Sequence, residues 1–241
     1  GKQWGSFDYS QQEPRLVAHY AASVNEDFSG ADEFIEAYKN EAADFHQIVA
    51  DMAGISRTQA KTINLGLFYG MGKAKLSKEL GISKDAAENL LNKYHTRVPF
   101  VKRLAEAVTG SASKYGFIRT IKGRKCRFDM WEPATFGMNK AMQYEEAKAI
   151  YGNNIRRAFT YKALNRLIQG SAADQTKQAM INCSKNGFEP LLQIHDELCF
   201  SINSEKDINS VKQIMENAIE DLKVPFKVDV ALGRSWGEAK E

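Results

Sequence analysis

The spacing of apolar positions changes several times along this chain, and each change marks an element. Residues 5–10, GSFDYS, read as a short apolar strand interrupted near its end by an acid. QEPRLVAHYAASV (12–24) has helical spacing, with Pro14 in the first turn, where a missing N–H is no loss. A second helical region covers 31–54, closed by Gly54, and a third covers 56–70. Ser56 and Gln59 fit a capping box, in which each side chain serves the other's orphan amide. Further helices fill 83–116, with a break near Pro99. FIRTIKGRKCRF (117–128) reads as a hairpin turning at Lys122-Gly123. Residues 139–187 look like one long helical stretch with Gly187 as C-cap. Then the period shortens. Residues 191–202 form strand, tight turn and strand, 204–222 a helix, and FKVDVALG (226–233) a last alternating strand. Strands therefore lie toward both ends of the chain, with a helical insertion between them, which is an α+β pattern.

Composition narrows the class only modestly. The 241 residues are 43% hydrophobic and 26% charged, enough for a real core. A net charge of +3 is too small to identify a nucleic-acid partner by itself. Cys126, Cys183 and Cys199 are far apart and form no CxxC pair, which fits reduced thiols rather than a disulfide or zinc framework. No apolar run approaches the roughly 20 residues of a membrane span. GKQWGSFDYS lacks the basic and apolar halves of a secretory signal. The expected location is cytosolic.

Two stretches carry candidate chemistry. In LLQIHDELCF (191–200), His195-Asp196-Glu197 falls between two apolar runs. A strand core has no use for adjacent unpaired carboxylates. The triplet is either a solvated turn tip or a place to which a positive group is brought. Asp8, on the first strand, is a second strand-end acid. If the strands were neighbours, the two aspartates could hold hard divalent cations, which prefer carboxylate oxygens. In RTQAKTINLGLFYG (57–70), Arg57, Lys61 and Leu65 recur at four-residue steps on one helix face. Two cations one turn apart repel mildly, and an anion such as a triphosphate would relieve that. A solvated basic edge is the other reading. GLFYGMGKAK is not a phosphate loop, because Leu67 and Ala74 stand where that motif needs Gly and Ser or Thr.

Together these pieces resemble the family A DNA polymerases, the group of bacterial DNA polymerase I and related phage replicases. DYSQQEPR (8–15) resembles the first palm motif, RTQAKTINLGLFYG (57–70) the fingers helix, QIHDEL (193–198) the second palm motif, and NRLIQGSAAD (165–174) a fourth family segment. Four motifs in order over nearly the whole chain are far more specific than any one. The resemblance implies a small antiparallel palm sheet with a large helical fingers subdomain inserted. Palm would be 1–26 and 161–241, and fingers 27–160. It implies template-directed nucleotidyl transfer from a dNTP to a primer 3′-hydroxyl, with primer–template DNA and dNTPs as partners and two Mg²⁺ ions as cofactors. Asp8 and Asp196, with the Tyr9 carbonyl, would bind the ions, and Glu197 would sit beside them in a supporting role. Arg57, Lys61 and His46 would hold the triphosphate, and Lys61 would also protonate the leaving pyrophosphate. Gln11, Leu65 and Tyr69 would complete the nucleotide site, Tyr69 near the templating base. Glu13 would be the gate that crowds a ribose 2′-hydroxyl. Asn165, Gln169 and His195 would touch the duplex minor groove, where acceptors are much alike for every base pair.

The hairpin region has six cations, Lys114, Arg119, Lys122, Arg124, Lys125 and Arg127, and no acid among residues 114–128. Phosphate contact is its functional reading, with Arg124 as the family's match, and a solvated basic hairpin the other. The chain also departs from the family pattern. Leu65 replaces the usual aromatic, Gln12 and Pro14 replace apolar residues, Tyr161 stands where Arg is common, and 128–160 is longer than usual. Seven residues before Asp8 leave no room for a thumb or a 3′–5′ exonuclease. The expectation is a fragment or split subunit that needs an N-terminal complement. The alternative is a fragment that binds nucleotide and DNA without catalysis.

Overall fold

A computed structural model describes residues 2–23, 35–36, 38–39, 44–68, 71–135, 137 and 140–240, apart from the side chains of 65, 67 and 68. The chain mixes helices with small antiparallel sheets and divides into two compact units. Unit 1 takes 1–25, 31–45 and 169–241; unit 2 takes 26–30 and 46–168.

Unit 1 is built on a four-stranded sheet of β1 (Gln3–Tyr9), β6 (Leu192–Ile194), β7 (Glu197–Ile202) and β8 (Val228–Gly233), in the order β6-β7-β1-β8. Strand alternation divides its two faces. Phe7 lies opposite Leu198 and Val230, and all three point to one side; Phe7, Leu198 and Phe200 are essentially inaccessible. Phe7 meets Phe200 edge to face, with ring centroids 5.5 Å apart. Helix α9 (Glu205–Glu216) contacts β7 and β8, with Val211 and Met215 buried, and the Tyr9 hydroxyl donates to the Met215 carbonyl at 2.7 Å. The opposite face carries Ser6, Asp8, Glu197 and Cys199. A 3₁₀ turn, Glu238–Lys240, packs back on β1 and β8. The close approach needs Gly233, since a Cβ there would stand 2.8 Å from the Ala239 nitrogen.

Helix α1 (Gln12–Ser23) follows β1 directly. Gln12 Nε2 donates to Ala172, Gln175 and Thr176 of α8 (Ala163–Lys185), which accounts for an amide where the family pattern has an apolar residue. Arg15 is buried. It donates to the Ser10 and Pro225 carbonyls at 2.9 and 2.6 Å and lies over the Tyr38 ring.

Unit 2 begins with α2 (Phe45–Ala53), whose first residue belongs to unit 1, and α3 (Arg57–Phe68). The capping box before α3 is present: the Ser56 amide donates to Gln59 Oε1 at 3.0 Å, and the Gln59 amide to Ser56 Oγ at 3.2 Å. Helices α4 (Lys73–Leu80), α5 (Lys84–Arg97) and α6 (Pro99–Tyr115) follow, the last two separated at Val98-Pro99 where the break was expected. The basic hairpin is β2 (Phe117–Arg119) and β3 (Lys125–Arg127), turning at Gly123 with φ +77°.

Two expectations need correction. The long helix over 139–187 is interrupted. Helix α7 (Tyr144–Tyr151) stops at Gly152, and Asn153-Asn154, poor helix formers, lead into β5 (Ile155–Arg157), which pairs with β4 (Trp131–Pro133). This hairpin is held down by Arg157, whose guanidinium lies 4.6 Å over the Trp131 ring and donates to the Phe128 carbonyl. Gly116, at φ +75°, suits the turn beneath it, and a Cβ there would lie 2.6 Å from the guanidinium carbon and push Arg157 aside. The helix over 204–222 is also shorter and ends at Glu216. Within the expected helix over 31–54, residues 35, 36, 38 and 39 and α2 are helical, Asp44 and Gly54 lie outside a helix, and 31–34, 37 and 40–43 lie outside the described residues. The three cysteines are free thiols. Among the described residues no helix is long and apolar enough to cross a membrane.

Candidate functional site

In unit 1 the antiparallel register sets Asp8 directly opposite Glu197 on one side and Asp229 on the other, so all three project from the polar face. Asp196 sits in the two-residue turn between β6 and β7, where the Tyr9 amide donates to its carbonyl at 3.4 Å. His195, the other turn residue, is exposed and holds the left-handed conformation at φ 55°. Tight hairpins need a positive φ at this place, and a non-glycine residue adopts it at a cost of about 1 kcal/mol. Burial pushes the Asp8 carboxyl above its usual value, and the neighbouring Asp196 charge pushes it further. Asp196 is raised as well, mainly by burial. Glu13, on the first turn of α1, is raised by burial and by Asp196, and a hydrogen bond from Gln169 partly offsets this. Asp8, Asp196, Glu13 and Gln169 thus form one electrostatic cluster, assembled from both ends of the chain.

Glu197 behaves differently. It is buried, and burial would raise its carboxyl; donors from Ser6, Lys240, Cys199 and Trp236 outweigh that and hold it below its usual value. Ser6 Oγ, Cys199 Sγ and Trp236 Nε1 all donate to Oε1, while Lys240 Nζ stands 2.9 Å from Oε2. Burial and the adjacent carboxylate push the Cys199 thiol up to about 12, so it stays a neutral donor. Glu197 is therefore an anchor for the segment after β8. The sequence reading did not find Lys240, Trp236 or Ser6. Only the alternation of β1, which sets Ser6 on the face of Asp8, hinted at one of them.

In unit 2, Arg57 and Lys61 lie on the exposed face of α3, while Ala60, Ile63 and Asn64 are buried on the other. Asn64, also missed, links His46 to the core. Its Oδ1 accepts from the buried Tyr94 hydroxyl at 2.5 Å, and its Nδ2 meets His46 Nδ1 at 3.1 Å. An amide nitrogen can only donate, so Nδ1 accepts and the neutral ring carries its proton on Nε2. Gln11, in unit 1, has φ 53°, and its Oε1 accepts from the Phe45 amide at 2.9 Å, capping the start of α2. Arg124 is exposed near the hairpin turn; Arg119 and Lys125 stack on the Phe117 ring. On α8, Asn165 has a buried Nδ2 with no partner among the described residues, and Gln169 is exposed. Tyr69 and the side chain of Leu65 lie outside the described residues.

Residues 1–238 match the model of DNA polymerase family A. The DNA-directed DNA polymerase of Pseudomonas phage M6 is 36% identical over 99% of this chain and 39% of its own length. DNA polymerase I of Lactococcus lactis subsp. cremoris is 35% identical over 98% of this chain and 26% of its own. Among solved structures, the POL domain of Pol1 from M. smegmatis, in complex with DNA primer-template and dNTP, superposes with a TM-score of 0.76 at 31% identity, covering 99% of this chain and 41% of that one. The chain belongs to DNA polymerase family A. It spans well under half the length of these relatives.

Proposed function

We propose that this chain carries the catalytic centre of a template-directed DNA polymerase, which moves a nucleotidyl group from a dNTP to a primer 3′-hydroxyl. The observation that supports this most directly is the convergence of Asp8 and Asp196, both raised and half-buried, in a member of family A. In this reading 1–26 and 161–241 are the palm and 27–160 the fingers, so most of unit 1 is palm and most of unit 2 is fingers. The M. smegmatis Pol1 structure, with its primer-template and dNTP, supports the same partners here.

The donor set suits a hard divalent cation. It offers carboxylate oxygens crowded by further acids. Among the described residues no three His, Cys, Asp or Glu side chains are grouped to hold an ion. Magnesium tolerates this, since it keeps several waters and shares substrate phosphates. Asp8, Asp196 and the Tyr9 carbonyl would hold two such ions. When bound, these neutralise charge on the attacking and leaving oxygens of a phosphoryl transfer.

The chain's own groups do the rest. Arg57, Lys61 and the Nε2–H of His46 grip the triphosphate, with Tyr94 and Asn64 setting the imidazole tautomer. The 3′-hydroxyl gives up its proton to solvent water, its oxygen bonds to the α-phosphorus, the bond to the bridging oxygen breaks, and Lys61 protonates the departing pyrophosphate. Lys61→Ala is expected to slow single-turnover incorporation by roughly 100-fold. A pyrophosphate-release assay checks this, and an unchanged rate would remove Lys61 from the chemistry. Glu13 acts as the gate against ribose. Glu13→Ala is expected to raise ribonucleotide incorporation relative to deoxynucleotide by about tenfold or more, measured as the ratio of kcat/KM values. Asn165, Gln169 and His195 contact the minor groove, and Arg124 the DNA backbone.

Primer extension by this chain, alone and fused behind the N-terminal part of the phage M6 polymerase, tests the reading. Extension by the fusion supports it. A fusion that binds primer–template and dNTP but never extends would leave a nucleotide- and DNA-binding module instead.

A further inference from the structure

The segment after β8 folds into a strap. Arg234 Nη2 pairs with Glu238 at 2.7 Å, the Ala239 amide donates to the Ser235 carbonyl, and the Lys240 amide to the Gly237 carbonyl. Trp236 hydrogen-bonds Glu197 Oε1 at 3.2 Å. These contacts aim one side chain, Lys240, at the polar face of the sheet. Its Nζ stands 2.9 Å from Glu197 Oε2 and 3.7 Å from Asp8 Oδ2. Asp196, Glu197 and Asp229 all press negative charge on Asp8, and Lys240 opposes them.

The geometry is unequal in a useful way. Glu197 is enclosed and has its full set of donors, so it holds the ammonium firmly. Asp8 is 44% exposed and the longer of the two contacts. An ammonium is a compact point charge on a flexible stem. It can release Asp8 and stay on Glu197 without the strap opening.

We propose that Lys240 is a positioning residue. It serves as the resident counter-ion of the Asp8–Glu197 pair, and a divalent cation takes its place on Asp8 rather than adding to bare carboxylates. This rests on the reading of Asp8 and Asp196 as cation ligands given above. Lys240 keeps the acids from splaying apart when no cation is bound, and it lowers cation affinity, because the arriving ion must displace a positive charge.

The test is Mn²⁺ binding to the 241-residue chain, followed by the loss of free Mn²⁺ signal in electron paramagnetic resonance at low ionic strength, with no turnover involved. Lys240→Gln keeps a hydrogen-bond donor for Glu197 and removes only the charge. It is expected to tighten Mn²⁺ binding about fivefold, a screened fraction of the attraction between charges at this distance. Lys240→Arg keeps the charge and should stay within about twofold of the parent. Trp236→Phe loosens the strap without changing charge and should leave affinity unaltered. Unchanged or weaker binding by Lys240→Gln overturns the proposal, as does equal tightening by Trp236→Phe, which would assign the effect to strap opening. Asp8→Asn separates this from the underlying reading: if it binds Mn²⁺ as well as the parent, the cation site itself is misassigned, whatever Lys240 does.

Discussion

Asp8→Asn and Asp196→Asn, each in the fused polymerase, are expected to cut primer extension by about 10⁴-fold, close to 5.5 kcal/mol of transition-state stabilisation. Asparagine keeps the size of the side chain and removes only its charge, so the loss measures charge. The same substitutions should not cost stability. Burial and mutual repulsion raise both carboxyls in the folded chain. The folded state therefore holds protons that the unfolded chain has already released, and stability falls as pH rises from the ordinary carboxylate range through the raised values. Asparagine removes that penalty. The unfolding midpoint at neutral pH should stay level or rise while activity disappears. A site arranged for function at the expense of stability shows this pairing. Full extension by either variant would sink the assignment of the acid pair.

The second large effect is structural. Phe200→Ala is expected to destabilise unit 1 by about 4 kcal/mol, read as a lower denaturant midpoint. Phe200 is 1% exposed and packs edge-on against Phe7. It lies on central strand β7, which also begins with Glu197 just after the Asp196 turn. A cavity there removes dispersion contacts on the apolar face and loosens the strand that carries the acids. Loss below about 1 kcal/mol would mean that the sheet packs far more loosely than its burial indicates.

Local patterns made much of this legible. The short apolar run with Asp8 near its end identified β1, and the Ser56–Gln59 box located the start of α3. His195-Asp196 was readable as a turn because the apolar runs on either side left no other place for the charges. Other features had no local signature. Lys240 and Trp236 reach Glu197 across 43 and 39 positions, and such pairings leave no period in the sequence. Asn64 sits in a helical pattern where only its buried partner Tyr94, 30 positions on, reveals its role. Strands β4 and β5 have three residues each, too short for alternation to stand out against the helical spacing around them.

The sheet of unit 1 has a consequence for how the protein is made. β1 leaves the ribosome well before its sheet neighbours β7 and β8, and the Ser6–Glu197 contact closes across 191 positions. At roughly 5–20 residues per second, β1 waits about 10–40 s for β7, without its native strand neighbours and with its hydrogen-bonding edges open. Helices α2 to α6 have all been made by residue 115, well before that. The nascent chain can thus form the early helices of unit 2 first, but Asp8 and Asp196 come together only after the β6–β7 turn has been made.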